Sequence, residues 1–450
     1  MNKHINTSII VFYSLLFIWQ LISIKSYYFI PDWDIRITQN AAYAIIHNQD
    51  YSPWNMYFSS YPNNRLFLWF LVSIESICHK LNLHDFEYLS VVYLQCIINS
   101  FTGFLLTKTV QKLFNKNTLT VISLVLYFLL IGISPWVSIP YTDSIGLLFP
   151  TLILYIYISK KQFKHTYYMW AIIAVLSTIG INLKPQLVIV TIAIVIIEII
   201  SIHSNINFKD YLKSFIIFIC LILLTSSILN LLKNTLPLDI DKEAEFSYQH
   251  YLMMGLNEER LGVYSKDDVD YSRSFDTNSE RNRATMQVVK SRIEEMGVTR
   301  ISVLYAKKTL SNYNNGTFNW GCEGRDFFYI MQDDPNTPIS KLCRGMYYGT
   351  RCDEVGEYYV EWANLEQCVW LTILTLSLLS VKFIKDSNKS IIALSIIGLT
   401  IFQTIFEARS RYLFTYSPFY ILLAIYGISV IMSAIKKASK ENTISSEAEN

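Results

Sequence analysis

Ten stretches of this chain are apolar for long enough to cross a lipid bilayer, or nearly so, and that pattern limits what it can fold into. A spanning helix needs about 17–25 predominantly apolar residues. Stretches at 8–28, 88–107, 118–137, 145–159, 167–181, 186–202, 211–232, 365–384, 390–406 and 412–435 meet or approach that length, the short 145–159 run extending back to Tyr141. Inside lipid only helices and closed barrels satisfy their backbone groups, and continuous runs of this kind read as helices. The expectation is an all-α polytopic membrane protein of about ten transmembrane helices. Composition agrees: 16% of residues are charged, against about 25% in soluble domains. The 31 Tyr and 9 Trp cluster near the ends of the runs, as interfacial aromatic belts do. The first run has a weak basic flank and no small-residue cleavage site, so it is expected to be a retained span.

Charge decides the topology. An eleventh run, 66–78, is short and interrupted by Glu75. Were it to span, the Lys-bearing loops 108–117 and 160–165 would face outward, against the positive-inside rule. Laid on the outer surface, it leaves those loops inside with Lys209, Lys213, the 381–389 segment and the terminal KKASK at 436–440. Both termini are then cytoplasmic in a multi-pass plasma-membrane protein, and 31–87, 138–144, 182–185, 236–363 and 407–411 face out. The charge split fits this arrangement. Residues 236–363 carry 15 Lys and Arg against 21 Asp and Glu, a net −6, leaving +8 for the rest of a chain whose total is +2. Nothing in that balance supports nucleic-acid binding.

The expected organisation is an N-terminal membrane module, 1–235, whose first outer loop at 31–87 carries the site. An extracytoplasmic insert at 236–363, mixed but mainly helical, follows. C-terminal membrane helices occupy 364–437, and a polar, disordered cytoplasmic tail occupies 438–450. In the first outer loop, Ile35, Ala42, Ile45 and Ile46 share one helical face over 35–48, and a second interfacial helix runs over 66–80. In the insert, 253–268 reads as loop. Met286, Val289, Ile293 and Met296 recur at helical spacing up to a stop at Gly297, and a short helix over 299–311 follows.

The outer loops hold the chemistry. Asp32 and Asp34 stand where the chain leaves the first span, and an acid at that boundary is costly unless paired, solvated or used. Either is placed to act as a general base, and either could instead cap the helix that follows. Asp143 ends another outer loop, with the same two readings. Lys184 closes a span, as a phosphate contact or a snorkelling anchor. Glu407, Arg409 and Arg411 crowd five residues. The two guanidinium groups suit bidentate phosphate binding, and mutual pairing in an interfacial anchor is the alternative.

Other signals are weaker. GTFNWGCEGRDFF at 316–328 fits no phosphate-binding fingerprint. As a sugar-stacking loop it would use Trp320 and Glu323; as a folded turn it would use neither. Cys78, Cys96 and Cys220 lie in apolar runs as small buried side chains, and one disulfide among Cys322, Cys343 and Cys352 fits an extracytoplasmic insert. Asn315-Gly316-Thr317 matches a glycosylation acceptor. The seven His show no H-x-x-x-H pair or carboxylate cluster at metal-ligand spacing. No metal site and no cofactor is expected, with divalent-metal dependence left open.

The order DWD (32–34), NAAYAI (40–45), YPNNRLFLWFL (61–71) and Asp143 resembles the GT-C superfold of membrane glycosyltransferases, in particular the protein O-mannosyltransferase-like family 39. The pattern covers roughly 8–200, and ARSRYLF at 408–414 resembles a C-terminal signature of bacterial members. The family's acidic site often reads Asp-Glu where this chain has Asp-Trp-Asp, so both aspartates stand as the base. The resemblance implies inverting transfer of one sugar from a polyprenyl-phosphate carrier to a cell-envelope glycan or lipid-linked acceptor on the outer face. Asp34, Asp32 and Asp143 are the catalytic candidates, and Arg409, Arg411 and Lys184 the donor-phosphate contacts. A Wzy-type oligosaccharide polymerase or ligase is the rival. It would use arginines of the insert and need no acid after the first span. A transporter would bury charges mid-membrane in broken helices, and few charges lie inside these runs.

Overall fold

The computed structural model describes residues 3–201, 208–322, 336–349, 355–383 and 385–448, and among them every regular element is helical. The helices are α1 (Lys3–Ser23), α2 (Asp34–Ile46), α3 (Asn55–Ser60), α4 (Asn64–Lys80), α5 (Glu87–Phe114), α6 (Asn117–Tyr127), α7 (Thr142–Ile145), α8 (Leu148–Ile158), α9 (Thr166–Leu183) and α10 (Ile189–Ile200). Then come α11 (Phe208–Lys233), α12 (Tyr248–Gly255), α13 (Lys266–Arg273), α14 (Asn278–Tyr313), α15 (Pro338–Tyr347), α16 (Tyr359–Leu379), α17 (Ser387–Ile405), α18 (Arg411–Phe414) and α19 (Ser417–Ala448). Among the described residues, seven helical stretches are long and apolar enough to cross a membrane: His4–Ser26, His84–Phe114, Thr166–Leu183, Asp210–Lys233, Tyr359–Phe383, Ser387–Ile405 and Ser417–Ser439. Three shorter apolar helices, Asn117–Gly132, Thr142–Ile158 and Pro185–Ile200, complete the set. The 66–78 run is part of α4, which is not among them.

Polar side chains stitch the spans together. Gln20 donates to Asn99 Oδ1 at 2.9 Å and to the Gly132 carbonyl at 2.7 Å, and the Tyr127 hydroxyl donates to the Asn99 carbonyl at 2.6 Å. Within lipid such bonds matter because water offers no alternative partner. At Gly427 of α19 a Cβ would lie 1.9 Å from the Leu376 carbonyl oxygen of α16, so only glycine lets these two helices cross so closely. Elsewhere the core is aromatic, with Trp136, Trp320 and Trp370 fully buried.

The helices expected over 35–48 and 66–80 form as α2 and α4 and pack on each other, with Ile35, Ala42 and Ile46 of α2 and Leu68 and Leu71 of α4 all buried. Gln39 of α2 donates to the buried Glu75 carboxyl of α4 at 2.8 Å.

In the insert, the 253–268 stretch expected as loop contains the last turn of α12 and the start of α13. The two expected helices form and meet within α14 at a kink on Gly297 (φ 58°, ψ −179°), a conformation essentially confined to glycine. The insert also packs into the rest of the chain. Phe318, Trp320 and Tyr347 belong to the main membrane core, and only small clusters such as Met253, Val289 and Leu304 are its own. The 363/364 boundary falls inside α16. The tail expected to be disordered from 438 instead continues α19 to Ala448. That stretch has neither Gly nor Pro, so nothing local stops a helix already nucleated in the span.

Candidate functional site

Asp34 owes its position to the start of α2. Trp33 is the extended N-cap residue, with no side-chain cap, and Asp34 is the first helical residue. Neither aspartate caps the helix, so the helix dipole favours Asp34's negative charge without consuming its oxygens. Its carboxylate lines a cavity of about 380 Å³. The Tyr141 hydroxyl lies 3.0 Å from Asn64 Oδ1 and 3.5 Å from Asp34 Oδ2, so its stronger bond goes to the amide.

Two cations line the same cavity. Lys184 and Arg411 both turn toward Asp143, which is 2% exposed and sits behind the wall. Lys184 Nζ pairs with Asp143 Oδ1, and Arg411 Nε stands 3.6 Å from Oδ2. Asp143 is therefore neither a helix cap nor a lining acid, but the counter-ion of a buried pair of cations. Burial pushes the Lys184 ammonium below its ordinary range, and the Asp143 charge opposes that shift. Aromatic faces complete the seats. Lys184 Nζ lies 3.7 Å from the Tyr412 ring centroid, and Arg411 Cζ 3.9 Å from that of Trp33, within cation–π range. The residue between the two aspartates is thus the platform for an arginine near the far end of the chain.

Glu407 adds a second lining carboxyl, held by the Tyr412 hydroxyl at 3.1 Å, and burial raises its pKa while Arg409 and Arg411 oppose the rise. The loop carrying it is pinned from the insert. Lys308 Nζ donates to the carbonyls of Gly255, Thr404 and Phe406 at 2.7, 2.8 and 2.9 Å. Burial pushes this ammonium down to about 7, but three acceptors fit the three donors of the charged form. The remaining walls are aromatic and amide: Tyr61, Asn63, Asn64, Gln186, Phe246, Tyr248, Tyr251, Phe402 and Phe406. An apolar cavity with a few converging charges is the usual form of a small-molecule site.

The structure thus brings Asp34, Lys184 and Arg411 together around one space, with Asp143 behind them. The other candidates lie apart. Asp32 is turned out, its side chain 61% exposed and 3.6 Å from Arg36. Arg409 is near enough to act on Glu407 but is not a lining residue. Trp320 is a correction: it is fully buried against Phe29 and Trp136, its indole N–H donating to the Tyr347 carbonyl at 2.8 Å, so its face is not open to a sugar. Glu323, Cys352 and the side chain of Cys322 lie outside the described residues. Sequence reasoning missed Trp33 and the insert's Phe246, Tyr248 and Tyr251, whose only mark was aromatic character in a chain full of it. It also missed a metal-capable group remote from the cavity, His47, His79, His84 and Glu87. The H-x₄-H-x₂-E spacing of the last three, across a turn, was the available signal.

Compared with known families, residues 1–431 match a family model described as a conserved hypothetical integral membrane protein. No curated protein matches the chain.

Proposed function

The chain belongs to the conserved hypothetical integral membrane protein family, and from that premise we propose that it is a membrane glycosyltransferase. It would move a sugar from a polyprenyl-phosphate carrier to a cell-envelope glycan or lipid-linked acceptor. The observation that carries this reading is one cavity lined by a carboxylate, Asp34, and by two cations, Lys184 and Arg411, both directed at Asp143. Such a pocket offers two cations where a phosphate would sit and a base where an acceptor would lose its proton.

In the proposed step, Asp34 takes the acceptor hydroxyl proton as that oxygen bonds to the sugar's anomeric carbon from the face opposite the phosphate. The anomeric carbon–oxygen bond to phosphate breaks, its electron pair stays with the carrier, and configuration inverts. Lys184 and Arg411 offset the charge on the departing phosphate. Tyr61, Phe246, Tyr251 and Phe406 offer apolar faces for the sugar ring. A carrier of many isoprene units stays in the bilayer, so its phosphate is met only at the interface. The finer topology belongs to the same proposal: ten spans, from the seven long and three short apolar helices, both termini cytoplasmic and the cavity on the outer face.

The test incubates purified protein with labelled polyprenyl-phosphate sugars and cell-wall acceptors. Wild type is expected to transfer label, and Asp34→Asn to fail while unfolding at the wild-type temperature. Undiminished transfer by Asp34→Asn would overturn the assignment and favour the polymerase reading.

A further inference from the structure

The far ends of α2 and α4 hold a second constellation. His47 is the C-cap residue of α2, His79 lies in the last turn of α4, His84 opens the turn after it, and Glu87 begins α5. His47 Nε2 is 2.8 Å from Glu87 Oε2, while His79 Nδ1 and His84 Nδ1 are 3.1 and 3.0 Å from Oε1. One donor atom from each of the four residues lies within 4.8 Å of all the others. The three rings crowd together, with centroids 4.5, 5.0 and 5.8 Å apart, and Tyr43 stacks on His47 at 4.1 Å.

We propose that these four side chains bind one divalent transition-metal ion of the zinc class, as a structural clamp joining α2, α4 and the start of α5. A zinc ion takes four ligands at about 2.0–2.2 Å, which sets neighbouring ligand atoms roughly 3.3 Å apart in a tetrahedron. The present atoms bracket that spacing, at 2.8, 3.1 and 3.0 Å from imidazole to carboxylate and within 4.8 Å of one another overall. Three imidazoles with one carboxylate suit zinc and its neighbours, whereas calcium and magnesium take all-oxygen sets. Burial is graded as a metal site needs. The Glu87 side chain is 6% exposed, His47 19%, His79 33% and His84 53%, which leaves an entry path from solvent. One carboxylate already gathers the three imidazoles, and a dication would take one ligand atom from each of the four groups.

The role follows from distance. α2 has 13 residues and α4 has 17, so at 1.5 Å per residue the clamp lies on the order of 20 Å from the ends that carry Asp34 and Asn64. The ion is too remote to touch anything in the cavity. It fixes the tails of the two helices whose heads line the cavity wall, independently of what reaction occurs there.

The experiment uses full-length protein carrying a histidine-free affinity tag, stripped with a chelator and re-equilibrated with Zn²⁺ or Co²⁺. Wild type is expected to retain one Zn²⁺ per chain by elemental mass spectrometry. Its unfolding temperature should rise until one equivalent is bound, and Co²⁺ should give a tetrahedral visible spectrum. His79→Ala and Glu87→Gln should each weaken binding by at least about a hundredfold, the upper range for losing an outer-sphere partner. His84→Ala, at the exposed corner, keeps the test open should a buried variant fail to fold. His4→Ala and His165→Ala should bind as wild type. Absence of stoichiometric uptake by wild type would overturn the proposal. So would uptake over several weak equivalents that survives all three cluster substitutions, the mark of adventitious surface binding.

Discussion

Helices α2 and α4 end differently at their two extremities, although the same pair of elements builds both. At one end, Asp34 and Asn64 meet Lys184, Arg411 and Glu407 contributed from distant loops, around an open space. At the other, three imidazoles close on one carboxylate, and every contributing residue lies between 47 and 87. The first arrangement keeps charges of both signs facing a cavity, with Lys184 and Arg411 directed at Asp143 behind the wall. The second uses its charges on one another. Opposed groups around a void can act on a ligand, whereas groups that converge on a point can only hold one.

The sharpest way to break this comparison is at the cavity end. Asp34→Asn should lower turnover by about a hundredfold to ten-thousandfold, the usual worth of a general base, with little change in thermal unfolding. Comparable turnover in the variant would make the two ends equally structural. Asp143→Ala leaves Lys184 and Arg411 buried without their acid, and should cost about 3–5 kcal/mol of stability, read as a large fall in unfolding temperature in detergent. His250 sharpens the picture from the insert. It stacks on the cavity-lining Phe246 at 4.1 Å and bonds Ser272 Oγ at 2.6 Å, and burial lowers its pKa from 6.5 to about 4, with Arg273 and Arg281 adding to the shift and Asp268 opposing it. The folded protein thus prefers the neutral ring. Its contribution is complete above pH 6.5 and is lost as pH falls toward 4, at up to about 1.4 kcal/mol per pH unit. His250→Gln should flatten that slope in an acid melting series.

Between the two ends sits Glu75, whose pKa burial raises from 4.5 to about 8, with the Gln39 hydrogen bond opposing. The fold favours the protonated acid, so this contribution is whole below pH 4.5 and disappears as pH rises through 8. Glu75→Gln should therefore change stability by less than about 1 kcal/mol near pH 4 and remove the loss at higher pH. Smallest of all, Asp32→Asn breaks only an exposed pair with Arg36 and should shift stability by no more than about 0.5 kcal/mol, leaving transfer intact. A loss of transfer there would move the base from Asp34 to its neighbour.

How much of this was readable beforehand differs by residue. Ile35, Ala42 and Ile46 announced α2 because helical periodicity is a local property, and burial against α4 followed. Gly297 marked the kink in α14, because a backbone with φ 58° suits glycine and interrupts a helix locally. Lys184 and Arg411 were legible as charges out of place beside hydrocarbon, but their common partner was not. Trp320 misled because exposed and buried indoles look alike in a glycine-rich stretch.

From the order of its residues alone, the chain was bound to be a helical membrane protein with most of its ionisable side chains at or beyond the ends of apolar runs. The cost of desolvating peptide groups and charges enforces that at every run separately. Tertiary packing decided which ends meet. Trp33 lies beneath Arg411, Asp143 disappears between two cations, and His47 reaches His79, His84 and Glu87 across a helix pair. Such convergence depends on how helices distant in sequence cross, a matter of close packing that no single segment encodes.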